Sequence, residues 1–234
     1  MDGTLERVRL GRTTISEPGD RIEHIYFPID AVFSIITVMR DGTQIEVLTA
    51  GREGLTGAQS LLDGGTASQL TICQVPGEAY RLTFEDFVQV CDRFAVVREL
   101  AQRYLSAQLD AMAQAIACNR LHYVVERCAR WLLMTHDRVG RDEFPLTHEM
   151  LATMLGVRRA GVSVAAAALQ QAGCIRYMRG RFTVVDRACL ETMACECYAA
   201  IDGAFKRRLP TPDMRVTMAS VSTDEPVRHL RSVR

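Results

Sequence analysis

The sequence has few of the features that mark membrane proteins or enzymes. Its 234 residues contain no run of about 18 apolar residues, and no apolar segment follows the first methionine. We therefore predict a cytoplasmic protein with no membrane partner. The patterns GxSxG and HExxH and the Walker loop are also absent, so we do not expect an enzyme.

Cysteines are present, but not in the spacing of a metal site. None of the eight forms a CxxC pair, and none precedes Cys73. Cys189, Cys195 and Cys197 lie on one predicted helix, at spacings that put them on different faces. We expect free thiols that pack in the interior, and we predict no metal site and no cofactor.

Lysine is almost lacking, since Lys206 is the only one, and nearly all positive charge is therefore arginine. The net charge of zero hides an asymmetry. Residues 119–208 carry 14 basic and 9 acidic side chains, whereas residues 1–118 carry 10 and 16. A basic C-terminal half is what a domain facing double-stranded DNA would need.

The N-terminal third of the chain has the pattern of an all-β domain. Short apolar segments alternate with turn signals such as Asp41-Gly42, which is typical of a barrel or jelly roll. One edge strand is indicated around Val8, Leu10 and Thr14. The other predicted strands are Ile22–Phe27, Ala31–Met39, Gln44–Leu48, Gln69–Gln74 and Ala79–Leu82, with a glycine-rich loop from Gly51 to Gly65.

Helical periodicity replaces the strand pattern after Thr83. A long helix from Asp92 to about Cys118 has a narrow apolar stripe through Phe94, Val97, Ala101, Tyr104 or Leu105, Leu109 or Met112, and Ile116. Such a stripe favours pairing with a second copy of the chain, so we predict a homodimer. Further helices are predicted from Thr83 to Val90, from Leu121 to His136 and from Ala188 to about Arg208, and residues 210–234 are predicted to be disordered.

The stretch from Leu146 to Val185 predicts a helix-turn-helix followed by a β-hairpin. Thr147 is placed to cap the first helix, and Ala152, Gly156 and Val162 have the spacing of the small residue, the turn and the apolar anchor of this motif. Gly173 is predicted to end the second helix.

The hairpin from Ile175 to Val185 turns at Arg179-Gly180 and completes a winged-helix DNA-binding unit. Three arginines on this short wing, namely Arg176, Arg179 and Arg181, are predicted to contact DNA phosphates.

Three segments in this order, EPGDRIEHIYFP, DGTQIEVLTAGREGLTG and LTHEMLATMLGVRRAGVS, resemble the Crp/Fnr family of bacterial transcription regulators. The resemblance covers roughly residues 22–209. It implies an α+β fold with an N-terminal β jelly-roll barrel, a long dimerisation helix and a C-terminal winged helix-turn-helix. It also implies a homodimer on a palindromic operator, with half-sites one helical turn apart, and RNA polymerase as a partner.

The resemblance divides the chain into four parts. Residues 1–90 correspond to a cyclic-nucleotide-binding-like sensor barrel, residues 91–118 to the dimerisation helix, residues 119–209 to the DNA-binding domain and residues 210–234 to the tail.

The chain departs from the sensing members of the family. Ala58 and Ala67 stand where cyclic-nucleotide-binding members carry a glutamate for the ribose and an arginine for the phosphate. Arg52 and Glu53 could serve only in a shifted register, so we expect weak or no cAMP binding. The lack of any cysteine before Cys73 excludes the N-terminal iron–sulfur cluster of other members, and the effector is unknown.

The second helix of the helix-turn-helix also departs from the family pattern. Ala160 replaces a glutamate, and Val164 replaces an arginine found in some members. The residues predicted to bind DNA are Arg158, Arg159, Ser163, Gln170 and Thr147, together with the three wing arginines Arg176, Arg179 and Arg181. The alternative is a sensor or protein-interaction module whose DNA reading is degenerate.

Overall fold

The N-terminal domain is a pair of antiparallel sheets in a computed structural model that describes residues 5–209. One sheet has the strand order β1-β7-β3 and the other β2-β6-β4-β5, and they enclose a core that includes Ile25, Phe33 and Phe87. This confirms the predicted jelly-roll barrel. Its elements are β1 (Glu6–Leu10), β2 (Thr13–Ser16), β3 (His24–Pro28), β4 (Val32–Val38), β5 (Gln44–Ala50), α1 (Ser60–Asp63), β6 (Leu70–Val75) and β7 (Gly77–Thr83).

The N-terminal segment forms two strands, and the prediction of one edge strand is wrong. β1 pairs with β7 in the first sheet, whereas β2 pairs with β6 in the second. The chain crosses between the sheets at Gly11 and Arg12, which belong to neither strand.

Two helices follow the barrel, α2 (Phe84–Arg93) and α3 (Ala95–Leu121). The hydroxyl oxygen of Thr83 caps α2 by accepting from the backbone N–H of Asp86 at 3.1 Å. The apolar stripe predicted on α3 belongs to two different faces. Ala101 and Tyr104 are buried against the chain's own core, whereas Leu109 and Ile116 are 67% and 72% exposed.

The C-terminal domain contains the predicted helix-turn-helix and wing. Its elements are α4 (Val124–Val139), β8 (Glu143–Pro145), α5 (His148–Leu155), α6 (Arg159–Gln171), β9 (Ile175–Met178), β10 (Arg181–Val184), α7 (Arg187–Met193) and α8 (Cys197–Arg208). The three strands form one sheet in the order β8-β10-β9.

The chain after the wing is broken into two helices, and the prediction of a single closing helix is wrong. Ala194 adopts an extended conformation with ψ of 151°, and the chain turns through Cys195 and Glu196 before α8 begins. In an unbroken helix, residues 195 and 197 would point about 200° apart. The break instead lets both cysteine side chains lie in the interior.

The two domains share a hydrophobic core. Val32 and Ile36 of the barrel belong to the same buried cluster as Trp131 of α4 and Leu155 of α5. The turn of the helix-turn-helix also meets the barrel, because a Cβ placed on Gly156 would lie 2.6 Å from the Cδ1 of Ile45. The DNA-binding domain is therefore packed directly on β4 and β5.

The cysteines are not all free, which corrects the sequence prediction. Cys174 and Cys189 form a disulfide that joins the start of the wing to α7, and six other cysteines are free and buried. The predicted disordered tail, residues 210–234, lies outside the described residues. Among those described, no single helix is long and apolar enough to cross a membrane, and only the bent pair α5–α6 passes that test as a unit.

Candidate DNA interface

The helix-turn-helix is built by local signals in the sequence. The hydroxyl oxygen of Thr147 accepts from the backbone N–H of Met150 at 3.2 Å and caps α5. Gly156 has φ of +62°, which ends α5 in the left-handed region that favours glycine. The axes of α5 and α6 differ by 107°, within the usual range for this motif.

The face of α6 that points away from the core begins with two arginines. Arg158 caps the helix with extended backbone and Arg159 is its first residue, and both are exposed. The Nε of Arg159 lies 3.6 Å from a carboxylate oxygen of Glu149 on α5, in an ion pair whose side chains are 69% and 75% exposed. An exposed pair of this kind contributes at most about 1 kcal/mol, so Arg159 can leave it for another acceptor.

The same face continues with small apolar residues. Ala160 and Val164 lie one turn apart, and the side chain of Val164 is 71% exposed. From the sequence alone, Val164 was notable only because it replaces an arginine found in some family members. An exposed valine on a reading helix can instead contact the methyl group of thymine.

Ser163 is less available than the sequence suggested. Its hydroxyl is half-buried, donates to the backbone carbonyl of Arg159 at 3.2 Å, and lies 3.0 Å from the Nδ1 of His148. The hydroxyl hydrogen is therefore used within the protein, and Ser163 serves first to hold the start of α6.

His148 is a positioning residue that sequence reasoning missed. Its ring stacks on Tyr177 of the wing with centroids 4.1 Å apart, and it also lies 5.9 Å from Phe182. Burial, and to a lesser degree Arg159, lowers the pKa of His148, which favours the neutral ring. The sequence signal was the pair of aromatic residues on the wing, Tyr177 and Phe182, which does not point to a histidine 29 residues before Tyr177.

The wing turns as predicted, at Arg179 and Gly180, with φ of +51° and +76°. These angles define a type I′ turn, whose twist matches that of a hairpin. Arg176 and Arg179 are exposed, whereas Arg181 forms an ion pair of 2.9 Å with Glu143 on β8. Among residues 5–209, the guanidinium groups of Arg176 and Arg179 therefore have no ion-pair partner, and that of Arg181 is shared with Glu143.

Gln170 lies at the far end of α6 from the arginines. Eleven residues separate it from Arg159, which is about 16 Å along the helix. Its side-chain oxygen accepts from the backbone N–H of Tyr177 at 2.8 Å. Gln170 thus braces α6 against the wing, at the end of the helix opposite to Arg158 and Arg159.

The first part of the glycine-rich loop of the barrel packs against the chain's own side chains, whereas Thr56, Gly57 and Gln59 line a cavity of about 420 Å³. A Cβ on Gly54 would lie 2.0 Å from the ring of Tyr104, so the loop backbone closes directly on α3. Glu53 forms an ion pair of 2.7 Å with Arg138 of α4 and is not free to bind a ribose. Ala58 and Ala67 are buried, with 0% and 4% of their surface exposed.

The break between α7 and α8 gathers four potential ligand side chains: Cys118, His122, Cys195 and Cys197. The thiols of Cys118 and Cys195 lie 3.5 Å apart, and this hydrogen bond lowers the pKa of Cys118 to about 5 and raises the pKa of Cys195. Cys195 and Cys197 were predicted to lie on different faces of one unbroken helix, and the break between α7 and α8 brings them together instead.

Comparison with known families supports this architecture. Residues 126–193 match the model of a Crp-like helix-turn-helix domain, and residues 7–94 match that of a cyclic nucleotide-binding domain. A barrel of this kind joined to a winged helix-turn-helix defines a transcription regulator with a DNA-binding domain, not an enzyme. The chain belongs to the Crp/Fnr family.

Individual relatives agree with this assignment. The cyclic AMP receptor protein of Thermus thermophilus is 27% identical over 183 residues, which are 75% of this chain and 82% of that protein. The structure of FixK2 from Bradyrhizobium japonicum is similar with a TM-score of 0.69 at 14% identity, covering 83% of this chain and 98% of that one. The structure of a CRP-family transcriptional regulator from Thermus thermophilus gives a TM-score of 0.60 at 22% identity, covering 81% and 96%.

Proposed function

We propose that this regulator binds a palindromic DNA operator as a homodimer, with α6 of each protomer in the major groove. The observation that carries the proposal is the exposed face of α6, which begins with Arg158 and Arg159, in a domain whose wing also exposes Arg176 and Arg179. A helix of this length fits the major groove, and two-fold symmetry of the protein calls for half-sites about one helical turn apart.

Arg159 is the residue we assign to base reading. Its guanidinium can donate two hydrogen bonds to O6 and N7 of guanine, once it leaves Glu149. We assign Val164, about one and a half turns further along the helix, to the methyl group of a thymine. Each half-site would then have a preferred guanine and a preferred thymine, although the family's glutamate is replaced by Ala160.

The wing and the cap of α5 are assigned to the DNA backbone. Arg176 and Arg179 are exposed, and Thr147 lies close to the turn they flank, since its Cγ2 is 3.6 Å from a Cβ placed on Gly180. Arg181 would add a third phosphate contact by exchanging Glu143 for DNA. Contacts of this type fix the orientation of the protein and carry no sequence information.

The outward face of α3 supports the homodimer. Leu105, Leu109, Met112 and Ile116 follow each other at spacings of four, three and four residues, as in a coiled-coil seam. Leu105 and Met112 are half-buried beside the chain's own core and form the inner edge of this seam. Leu109 and Ile116 are among the most exposed apolar side chains of the described residues. Pairing of two α3 helices would bury this seam.

The barrel is proposed to sense a signal other than cAMP. Neither alanine at the expected positions can hold a ribose hydroxyl or a phosphate, and Glu53 is engaged by Arg138. Because β4 and β5 pack on α4 and α5, a change in the barrel could alter the DNA-binding domain directly. RNA polymerase is proposed as the partner once DNA is bound. We retain residues 1–90, 91–118 and 119–209 as the functional units.

The proposal is tested by selecting random DNA fragments with the purified protein and titrating the enriched site at several salt concentrations. We expect a palindrome and a steep loss of affinity with salt. Arg159→Ala should cost about 1–3 kcal/mol at one base position per half-site, while the matched control Arg93→Ala on α2 should leave affinity unchanged. No enrichment, together with a shallow salt dependence, would contradict the proposal and favour a protein-interaction module with degenerate DNA reading.

A further inference from the structure

Four side chains with metal-binding atoms meet where α3 ends. Cys118 lies in the last turn of α3, and His122 follows one turn later as its C-cap. Cys195 and Cys197 approach from the break between α7 and α8. All four ligand atoms lie within 4.8 Å of one another, and the three cysteines are at most 6% exposed.

The distances between the ligand atoms match those of a tetrahedral site. Zinc bonds of about 2.3 Å to sulfur and 2.0 Å to nitrogen require edges of about 3.8 Å between two sulfurs and about 3.5 Å between sulfur and nitrogen. The Sγ atoms of Cys118 and Cys195 are 3.5 Å apart, and the Sγ of Cys197 is 3.5 Å from the Nδ1 of His122. Two of the six edges therefore already have the length that an ion needs, and the other four, at no more than 4.8 Å, exceed it by at most about 1 Å.

Two neighbouring side chains, Glu196 and Gln114, hold the four ligand side chains in orientations that are usual around a metal ion. The Nε2 of His122 lies 3.1 Å from a carboxylate oxygen of Glu196, which leaves Nδ1 to face the sulfurs. The side-chain amide of Gln114 donates to the Sγ of Cys197 at 3.1 Å. A carboxylate behind the histidine and an N–H donor to a sulfur are recurring supports of zinc sites.

The two buried arginines beside the site also favour a bound zinc ion with three thiolates. Arg127 and Arg130 on α4 are only 6% and 7% exposed. Neither forms an ion pair within 4.0 Å among residues 5–209, although the charge of Arg130 also acts on the carboxyl group of Glu46. Arg127 reaches the site's own helix by donating to Asn119, next to Cys118, at 2.8 Å. A centre of Zn²⁺ and three thiolates has a net charge of −1 and supplies a buried counter-charge for these guanidinium groups.

We propose that Cys118, His122, Cys195 and Cys197 bind one Zn²⁺ ion in a closed, structural site. On binding, the three thiols lose their protons to solvent and the neutral imidazole coordinates through Nδ1. The ion ties the end of α3 to the start of α8, at the point where His122 and Tyr123 connect α3 to α4. This site is independent of the operator that the regulator reads.

The test is the metal content and metal affinity of the full chain, purified and kept reduced with a phosphine. We expect about one zinc ion per chain, and cobalt in its place should give the visible bands of a tetrahedral site and thiolate charge-transfer absorption. Cys118→Ser and His122→Gln should lose the ion, and the matched control Cys91→Ser, a buried cysteine on α2, should keep it.

Glu196→Gln tests the proposal even if a ligand variant fails to fold. Glu196 is exposed, and replacing its carboxylate leaves all four ligand side chains in place. We expect its zinc affinity to fall about 10- to 100-fold in competition with a chromophoric chelator, with an unchanged circular dichroism spectrum. Reduced wild-type protein that binds no zinc on reconstitution would overturn the proposal. Full zinc content and affinity in both Cys118→Ser and His122→Gln would overturn it as well.

Discussion

Glu46 is a carboxyl group at the contact between the barrel and the DNA-binding domain. Its two oxygens accept hydrogen bonds from the Oγ of Ser34 at 2.5 Å and from the Nε1 of Trp131 at 2.7 Å. Burial raises the pKa of Glu46 to about 7, and these two hydrogen bonds and the charges of Arg130 and Arg138 oppose the rise. The group is therefore predicted to take up a proton on folding at mildly acidic pH.

The sign of the effect follows from this raised pKa. Below the unfolded value of 4.5, Glu46 is protonated in both states and its contribution to stability is complete. As the pH rises from there through about 7, the unfolded chain loses the proton first, so the free energy of unfolding falls. Between pH 5 and pH 8 the loss would be about 2.5 kcal/mol for a fully buried group. Because Glu46 is partly exposed, we expect about 1–2 kcal/mol.

Glu46→Gln should remove this loss. We would measure urea unfolding at pH 5 and pH 8, at fixed protein concentration, by the fluorescence of Trp131, which is the only tryptophan and donates to Glu46 itself. The wild-type protein should lose about 1–2 kcal/mol more than the variant between the two pH values. The control Glu17→Gln, at an exposed turn, should follow the wild type. Parallel pH dependences for the wild type and Glu46→Gln would refute the reasoning.

Two further pairs of substitutions, each a test and its control, address the dimer seam and the turn of the helix-turn-helix. Ile116→Glu should convert the dimer to a monomer in analytical ultracentrifugation, whereas Leu62→Glu, an equally exposed leucine on α1, should remain dimeric; a dimer in both would place the interface elsewhere. Gly156→Ala should lower the free energy of unfolding by about 1–3 kcal/mol, because φ is +62° and the new methyl meets Ile45. Gly161→Ala, inside α6 with open space around it, should raise it by about 0.5–1 kcal/mol, and equal effects of the two alanines in a thermal melt would contradict this account.

Features coded by neighbouring residues were predictable from the sequence. Thr147, Gly156 and the pair Arg179-Gly180 each impose a local backbone conformation, and the structure has the cap and turns that they predicted. The family assignment followed from their order along the chain together with the barrel segments.

Features created by contacts between distant segments were not predictable. The break at Ala194–Glu196 contains neither glycine nor proline, and it exists because Cys195 and Cys197 bury themselves against the end of α3. The same limit applies to His148, whose role depends on the wing ring of Tyr177. The division of the apolar residues of α3 between a buried and an exposed face could likewise not be predicted, because it depends on the position of α8, which packs along α3.

Because the two domains share a core, separating them would expose apolar surface on both. Trp131 and Leu155 are covered by Val32 and Ile36 of the barrel, so a DNA-binding domain cut out near residue 119 would expose this apolar surface to water. A chimera that grafts this domain onto another sensor would need a barrel with a matching β4–β5 surface. The two domains follow one another along the chain, but neither can be exchanged without also matching the surface of the other.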